Sequence, residues 1–239
     1  MEVKNYLLGY KNLYIYQNPD MFSFSLDSVL LPNFITIGSN TKKILDIGTG
    51  NAPIPLILST KTDASITGIE IQPDVFSLAK KSVEENHLEG QIEIICSDIN
   101  EWYKDIESET FDIITCNPPF FKMKETSNIN KNDYKTIARH ELCLNLEQLL
   151  KIARKLLKNN GIIGIVHRPE RLVDILEEMR KNNIEPKKVR FIYPKFGKDA
   201  HVLLIEGKKN GNSGIKILPP LYVHNEDGKY TDEVLKYFE

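Results

Sequence analysis

From residue 44 onward, short apolar runs alternate with amphipathic stretches, and this rhythm restricts the folds open to the chain. Seven apolar runs predict strands, at residues 44–48, 65–70, 91–96, 111–116, 161–166, 188–193 and 200–206. The stretches between them predict helices, most clearly at 73–87, 145–157 and 169–181. Strands that alternate with helices form a parallel sheet with helices on both faces. Too few residues for a helical crossover separate the last two strands, so these two should pair antiparallel at one edge.

The expected fold class is therefore α/β, with a mostly parallel seven-stranded sheet and an antiparallel edge strand. A chain of 239 residues, 41% of them hydrophobic, can bury the core of one domain. We predict a single domain with an N-terminal extension (1–40), a core (41–206) and a C-terminal extension (207–239). The net charge of -2 excludes a globally basic coat for nucleic acid but leaves room for a local basic patch.

The sequence contains no apolar run near the roughly 18 residues that span a membrane. Its first twenty residues carry charges and lack the apolar stretch of a signal peptide. Three scattered cysteines, without metal-ligand spacing, argue against a disulfide framework and a zinc site. We therefore expect a cytoplasmic protein that binds no metal and no membrane.

The first binding motif, Asp46-x-Gly48-x-Gly50, follows the first predicted strand. Its glycines allow backbone N–H groups and a helix N-terminus to approach a ligand closely. Glu70, at the end of the next strand, can accept hydrogen bonds from both hydroxyls of a ribose. Dinucleotide and S-adenosylmethionine sites share this pattern. An acidic residue before the glycines, and Ala52 in place of a third glycine, favour S-adenosylmethionine with its cationic amino group.

Asp98 comes directly after the third predicted strand. In open α/β sheets, ligands bind at the carboxyl ends of the strands, so Asp98 could accept from the amino group of an adenine. An aspartate at this place could equally cap a turn.

The motif with the most specific chemistry is Asn117-Pro118-Pro119-Phe120, after the fourth strand. Consecutive prolines hold the backbone extended and rigid. The amide oxygen of Asn117 and the carbonyl of Pro118 could then accept both hydrogens of a planar amino group. Phe120 could stack on the ring that bears this group. Acceptors aimed at a developing positive charge are what methyl transfer to an amine requires.

These motifs, in this order, resemble class I S-adenosylmethionine-dependent methyltransferases that modify amino groups, over about residues 40–205. With residues 24–31, 138–141, 218–221 and 227–231 added, nearly the whole chain resembles the tRNA1(Val) adenine-37 N6-methyltransferase family. The resemblance implies a Rossmann-like fold, S-adenosylmethionine as cofactor and a tRNA substrate. It places the methionine moiety at Asp46, Gly48 and Gly50, the ribose at Glu70 and the adenine at Asp98. The target base would lie against the segment from Asn117 to Phe120.

A basic stretch, residues 187–209, is a candidate surface for the RNA. It contains seven lysines and arginines against two acidic residues, with Tyr193 and Phe196 interleaved. Such a run is either a solvated surface or a track for an RNA backbone with bases stacked on the rings. The residues predicted to contact RNA are Lys187, Lys188, Arg190, Lys195 and Lys198.

Other functions remain open at this point. The Asn-Pro-Pro-aromatic motif also serves methylation of guanine N2 in rRNA and of glutamine N5 in proteins. An NAD-dependent dehydrogenase would need a hydride-transfer pair, and a non-catalytic RNA-binding or cofactor-sensing module would leave the motif unexplained. His140 beside Glu141 suggests acid–base chemistry, but methyl transfer to an amine does not demand it, and a helix start is the favoured interpretation.

Overall fold

The computed structural model describes residues 2–7, 10–19, 25–118 and 144–238. Within them, a two-stranded hairpin precedes a nine-stranded sheet. The hairpin strands are β1 (Val3–Leu7) and β2 (Tyr10–Gln17). The strands of the large sheet are β3 (Lys43–Ile47), β4 (Ser65–Glu70), β5 (Ile92–Cys96), β6 (Phe111–Cys116), β7 (Leu157–His167), β8 (Ile184–Lys195), β9 (Val202–Lys209), β10 (Lys216–Ile217) and β11 (Leu221–His224). Their order is β10-β8-β9-β7-β6-β3-β4-β5, and β11 also pairs with β8.

Helices cover both faces of this sheet. They are α1 (Asp27–Phe34), α2 (Pro53–Ser59), α3 (Pro73–Glu85), α4 (Ile99–Asp105), α5 (Leu146–Leu156), α6 (Leu172–Lys181) and α7 (Asp232–Leu235), with 3-10 turns at Pro169–Arg171 and Lys236–Phe238. Buried apolar side chains form one cluster beneath α1, α2 and α3 and another beneath α4, α5 and α6. In the described part of the chain, no helix is long and apolar enough to cross a membrane.

The predicted α/β class is confirmed. Strands β3 to β9 are the seven expected from the sequence, and β4 and β6 have the predicted bounds. Strand β9 runs antiparallel to both of its neighbours, β7 and β8, while the pairs between β5, β4, β3, β6 and β7 are parallel. The C-terminal extension adds β10 and β11, both parallel to β8. The sheet is therefore wider than the seven strands predicted.

The hairpin β1–β2 packs against α3. The side chain of Asn86 accepts a hydrogen bond from the N–H of Tyr14 at 2.9 Å and donates one to its carbonyl at 2.7 Å. Leu13 and Ile15 are buried, while Tyr14 and Tyr16 are partly exposed. This alternation is typical of a strand with one buried face, so the tyrosine-rich N-terminus belongs to the fold.

Helix α1 and the residues after it lie directly on β7 and β9. The approach is close at Gly164, where an added Cβ would stand 2.5 Å from Cδ1 of Ile35, so Ile35 would have to move to admit a side chain. Glu206 accepts hydrogen bonds from the backbone N–H and the hydroxyl of Thr36, at 2.7 and 3.1 Å. Lys188 forms a 2.9 Å ion pair with the same glutamate. These contacts hold the N-terminal extension against the sheet.

Arg190 joins the C-terminal extension to β8. Its Nε donates to the carbonyl of Pro219 at 3.0 Å and its Nη1 donates to the hydroxyl of Tyr237 at 2.8 Å. Its Nη2 pairs with the carboxylate of Glu233, and the arginine side chain is only 10% exposed. A buried guanidinium must keep such partners, because an unpaired buried charge is costly.

We expect Arg190→Ala to lower the free energy of unfolding by about 1.5–3 kcal/mol, the range for losing hydrogen bonds to a charged group. Lys195→Ala, a matched change at an exposed position of the same strand, should leave it nearly unchanged. Urea unfolding followed by circular dichroism measures both. Equal stability of Arg190→Ala and the parent would contradict this role. The same curves test the single domain predicted from the sequence, which should unfold in one transition.

Candidate functional site

The carboxyl ends of the parallel strands bring four predicted site segments to one edge of the sheet. Strands β5, β4, β3 and β6 are adjacent and parallel. The glycine motif follows β3, Glu70 ends β4, Asp98 follows β5 and Asn117 follows β6. Ligands of open α/β sheets bind at this edge. The structure therefore collects residues that are up to 71 positions apart in the sequence.

Asp46 lies in the centre of this edge and is fully buried. It faces Thr115 in the parallel register of β3 and β6, and the threonine hydroxyl donates to its Oδ1 at 2.6 Å. Among the described residues, no group hydrogen-bonds its Oδ2. Burial raises the pKa of Asp46 to about 7, the nearby hydroxyls of Thr115 and Thr49 oppose this shift, and the carboxylate of Glu70 adds to it. A cationic group on a ligand would restore the charged form.

The glycine loop between β3 and α2 adopts the left-handed conformation that its sequence favours. Gly48 and Gly50 have φ values of 68° and 58°, and a Cβ at either position would meet only open space. Ala52 has a φ of 69° and takes up this conformation with a side chain, which is strained for an L-residue. The side-chain amide of Asn51 donates to the carbonyl of Tyr16 at 2.7 Å. The hairpin thus reaches the loop and helps to hold it.

Glu70 supports the same loop from β4. Its Oε2 accepts from the N–H of Gly50 at 3.0 Å, and its Oε1 accepts from the N–H of Gln72 at 2.9 Å. Burial raises the pKa of Glu70, and these backbone donors oppose the shift. A carboxylate has about four acceptor positions, so these two hydrogen bonds do not use all of them.

Asp98 has the capping role that its sequence context allowed. Its Oδ1 accepts from the N–H of Asn100 at 2.8 Å at the start of α4. Its Oδ2 has no hydrogen bond to a described residue. Capping therefore uses one oxygen of the Asp98 carboxylate.

Asn117 lies at the end of β6, next to the N-terminal extension. Its Nδ2 donates to the hydroxyl oxygen of Ser28 at 3.0 Å. Its Oδ1 is shielded from solvent and has no hydrogen-bond partner among the described residues. Of the other residues of the predicted motif, Pro118 is described, whereas Pro119 and Phe120 lie outside the described residues. His140 also lies outside them.

The basic stretch 187–209 does not form one surface. Lys188 and Arg190 are engaged within the protein and only 17% and 10% exposed, so we remove them from the predicted RNA surface. Lys187 lies near the amino end of β8 and donates to two backbone carbonyls of the C-terminal extension. Lys195 and Lys198 are exposed at the carboxyl end of β8.

This carboxyl end carries an aromatic cluster beside the two lysines. The rings of Tyr193 and Phe196 lie 5.4 and 5.8 Å from the ring of Tyr222, and Phe196 is 77% exposed. Strand β8 is parallel to β6 and three strand spacings from it, about 14 Å. We name Tyr193, Lys195, Phe196, Lys198 and Tyr222 the β8-end cluster. It lies at the same sheet edge as Asn117.

Two neighbours of the site carry roles that the sequence interpretation missed. Thr115 precedes Asn117 by two residues, and the parallel register of β3 and β6 could have indicated its place opposite Asp46. Ser28 belongs to a segment quoted for the family resemblance, but no local pattern ties it to a residue 89 positions away.

Residues 39–211 match the methyltransferase domain family. The chain belongs to this family. A tRNA1(Val) (adenine(37)-N6)-methyltransferase of Flavobacterium psychrophilum is 26% identical over 216 residues, which make up 89% of this chain and 91% of that relative. The match confirms the resemblance predicted from the motifs. It favours methyl transfer over the dehydrogenase and over the non-catalytic module.

Solved structures agree with this fold. A predicted O-methyltransferase of Agrobacterium tumefaciens superposes with a TM-score of 0.71 at 18% identity, covering 89% of this chain and 95% of the other. A geranyl diphosphate C-methyltransferase of Streptomyces coelicolor, in complex with S-adenosylhomocysteine, superposes with a TM-score of 0.58 at 10% identity. The match covers 76% of this chain and 78% of the other. At these identities the likeness shows the fold alone, which is the predicted class I methyltransferase architecture.

The raised pKa of Asp46 predicts how stability depends on pH. The folded pKa of about 7 exceeds the ordinary value of 3.8, so the folded protein binds the Asp46 proton more tightly than the unfolded chain does. The resulting contribution to the free energy of unfolding is complete below about pH 4 and is lost as pH rises through 7. Between about pH 5 and 7, the ligand-free parent should lose roughly 2 kcal/mol of unfolding free energy relative to Asp46→Asn. Urea unfolding of both proteins across this range measures the difference. Parallel pH profiles would show that Asp46 titrates normally.

Proposed function

We propose that this methyltransferase transfers the methyl group of S-adenosylmethionine to the exocyclic N6 of an adenine in tRNA. The observation that carries the proposal is the buried Oδ1 of Asn117, which has no hydrogen-bond partner among the described residues and lies at the sheet edge where Asp46 and Glu70 also lie. An acceptor without a partner fits an incoming amino group. The name of the Flavobacterium psychrophilum relative supports position 37 of tRNA1(Val) as the target.

The residues at the edge fit S-adenosylmethionine chemically. Asp46 offers a buried carboxylate oxygen to the cationic methionine moiety, and the open glycine loop allows close approach of the backbone. Glu70 would accept from the ribose hydroxyls, and the second oxygen of Asp98 would accept from the adenine amine. When bound, this cofactor supplies a methyl group already activated on a sulfonium, so the chain needs no nucleophile of its own.

Asn117 and Pro118 would hold the amino group that receives the methyl. The Oδ1 of Asn117 and the carbonyl of Pro118 accept its two hydrogens and draw the nitrogen lone pair out of conjugation with the ring. These acceptors act most strongly once the nitrogen begins to carry positive charge. The sequence predicts that Pro119 would keep the backbone extended and that Phe120 would stack on the target base; both residues lie outside the described part of the chain.

The β8-end cluster would bind the RNA next to the target base. Its lysines suit a phosphate backbone and its exposed ring suits an unstacked base. A separation of about 14 Å from β6 is short enough for one RNA strand to span both places.

The direct test is to incubate the purified protein with labelled S-adenosylmethionine and, separately, total tRNA, total rRNA and ribosomal proteins. We expect label in tRNA, and nuclease digestion should release it as N6-methyladenosine from position 37 of tRNA1(Val). Label in guanine of rRNA or in glutamine would keep the amino-group chemistry and overturn the substrate. No transfer to any of the three would overturn the proposed function.

We expect Asn117→Ala to lower the single-turnover rate about 10²–10³-fold, by analogy with the loss of one oxyanion-hole donor. The KM for tRNA should change little, because the lost interaction acts mainly in the transition state. Asn212→Ala, at an exposed position of the C-terminal extension, serves as the matched control. A near-normal rate in Asn117→Ala would place the chemistry on another residue.

Reversing the charge of the β8-end cluster should weaken binding of tRNA but not of the cofactor. For Lys195→Glu combined with Lys198→Glu, we expect a lower affinity for tRNA and a flatter dependence on salt, since fewer counterions are released. Lys80→Glu with Lys151→Glu, on exposed faces of α3 and α5, is the control. Filter binding at several salt concentrations measures the slopes. If the two double variants show equal slopes of tRNA affinity against salt concentration, Lys195 and Lys198 belong to an ordinary solvated surface and do not bind RNA.

A further inference from the structure

The two ends of the Asn117 side-chain amide differ in chemistry but hardly in shape. One end, Oδ1, accepts hydrogen bonds, and the other end, Nδ2, only donates them. A rotation of half a turn about the last side-chain bond would present Nδ2 to the target amine, donor against donor. Methyl transfer to that amine therefore depends on the amide being held in one of its two orientations.

Ser28 is the described residue whose side chain contacts this amide. Its hydroxyl oxygen lies 3.0 Å from Nδ2 of Asn117 and accepts its hydrogen. Ser28 is 4% exposed, so water does not compete easily for this bond. With Nδ2 directed at the serine, Oδ1 points away from it and has no partner in the part of the chain that the structure describes.

Ser28 is itself held in place by the packing of α1. Its neighbours Val29, Leu30 and Leu31 are at most 1% exposed. Directly after the helix, Thr36 is fastened to Glu206 of β9 by two hydrogen bonds. The serine hydroxyl thus stands on a rigid element, as a positioning group must.

We propose that Ser28 is a positioning residue for methyl transfer, which holds the Asn117 side chain at the end of β6 with Nδ2 toward the serine and Oδ1 toward the amino group. The inference rests on the proposed function and assigns part of the reaction to the N-terminal extension. Ser28 itself touches neither the substrate nor the cofactor in this arrangement. Its effect on the reaction passes entirely through Asn117.

The first test compares single-turnover rates at saturating tRNA and S-adenosylmethionine. The single-turnover rate of Ser28→Ala should be about three- to tenfold lower than that of the parent, the equivalent of one lost hydrogen bond. Its KM for tRNA should be nearly unchanged. Ser28→Thr, which keeps the hydroxyl, should recover most of that rate. Thermal melting of each variant shows whether it is folded at the assay temperature.

A double-mutant cycle separates positioning from a general structural effect. If Ser28 acts through Asn117, adding Ser28→Ala to Asn117→Ala should change the remaining rate less than about twofold. A merely structural serine would slow both backgrounds by the same factor, and that result would overturn the proposal. Inactivity of the parent on every RNA tested would instead overturn the proposed function.

A measurement without turnover covers variants that are too slow to assay. In a ¹⁵N-edited spectrum, the side-chain amide of Asn117 is identified by its loss in Asn117→Ala. Its hydrogens should exchange slowly with water in the parent and faster in Ser28→Ala. Equal exchange in the two proteins would contradict the proposed hydrogen bond. A faster exchange together with a normal methyl-transfer rate would keep the bond but overturn its role in the reaction.

Discussion

Asp46 carries its carboxylate into the middle of the sheet, between two parallel strands that exclude water. Only one of its oxygens receives a hydrogen bond from a described residue, and its pKa is raised to about 7. This arrangement costs stability in the free protein, because a buried carboxylate without full compensation is unfavourable. The same desolvation makes the site receptive to a cation. Much of the surrounding structure, including Glu70 and the glycine loop, is arranged around this unsatisfied charge.

Both extensions reach the carboxyl ends of the strands, although neither belongs to the core predicted from the sequence. The hairpin reaches the glycine loop through the hydrogen bond from Asn51 to Tyr16. Helix α1 brings Ser28 to Asn117. The C-terminal extension adds Tyr222 to the ring cluster at the end of β8. The α/β core thus provides the strand ends, and the extensions complete the surroundings of those ends.

The sequence predicts most of the core because its signals are local. Strand β4 and strand β6 have clear apolar runs bounded by turn residues, and their predicted bounds agree with the structure. Strand β7 begins at Leu157, four residues before the start predicted at residue 161. The residues Asn159-Asn160-Gly161 favour a turn but lie within the strand, where the register to β6 shifts between Phe111 and Ile113.

In the candidate site too, the sequence predicts the features that have local signals and misses those that depend on distant partners. Asp46, Glu70, Asp98 and Asn117 could be placed at one edge because parallel strands carry their carboxyl ends together. The burial of Arg190 and the contact of Ser28 could not, since each depends on partners 29 or more positions away. A charge run in the sequence does not reveal which of its members face inward. Tertiary packing decides that question.

Strand β8 illustrates what the C-terminal extension does for the molecule as a whole. Without β10 and β11, this twelve-residue strand would be the outermost strand of the sheet. An open edge of that length offers unpaired N–H and carbonyl groups to any other extended chain. During synthesis this edge stays uncovered until residues 216–224 have emerged, because they form β10 and β11. Pairing with these two strands then covers part of the β8 edge, and the covered part is closed to edge-to-edge pairing with another chain.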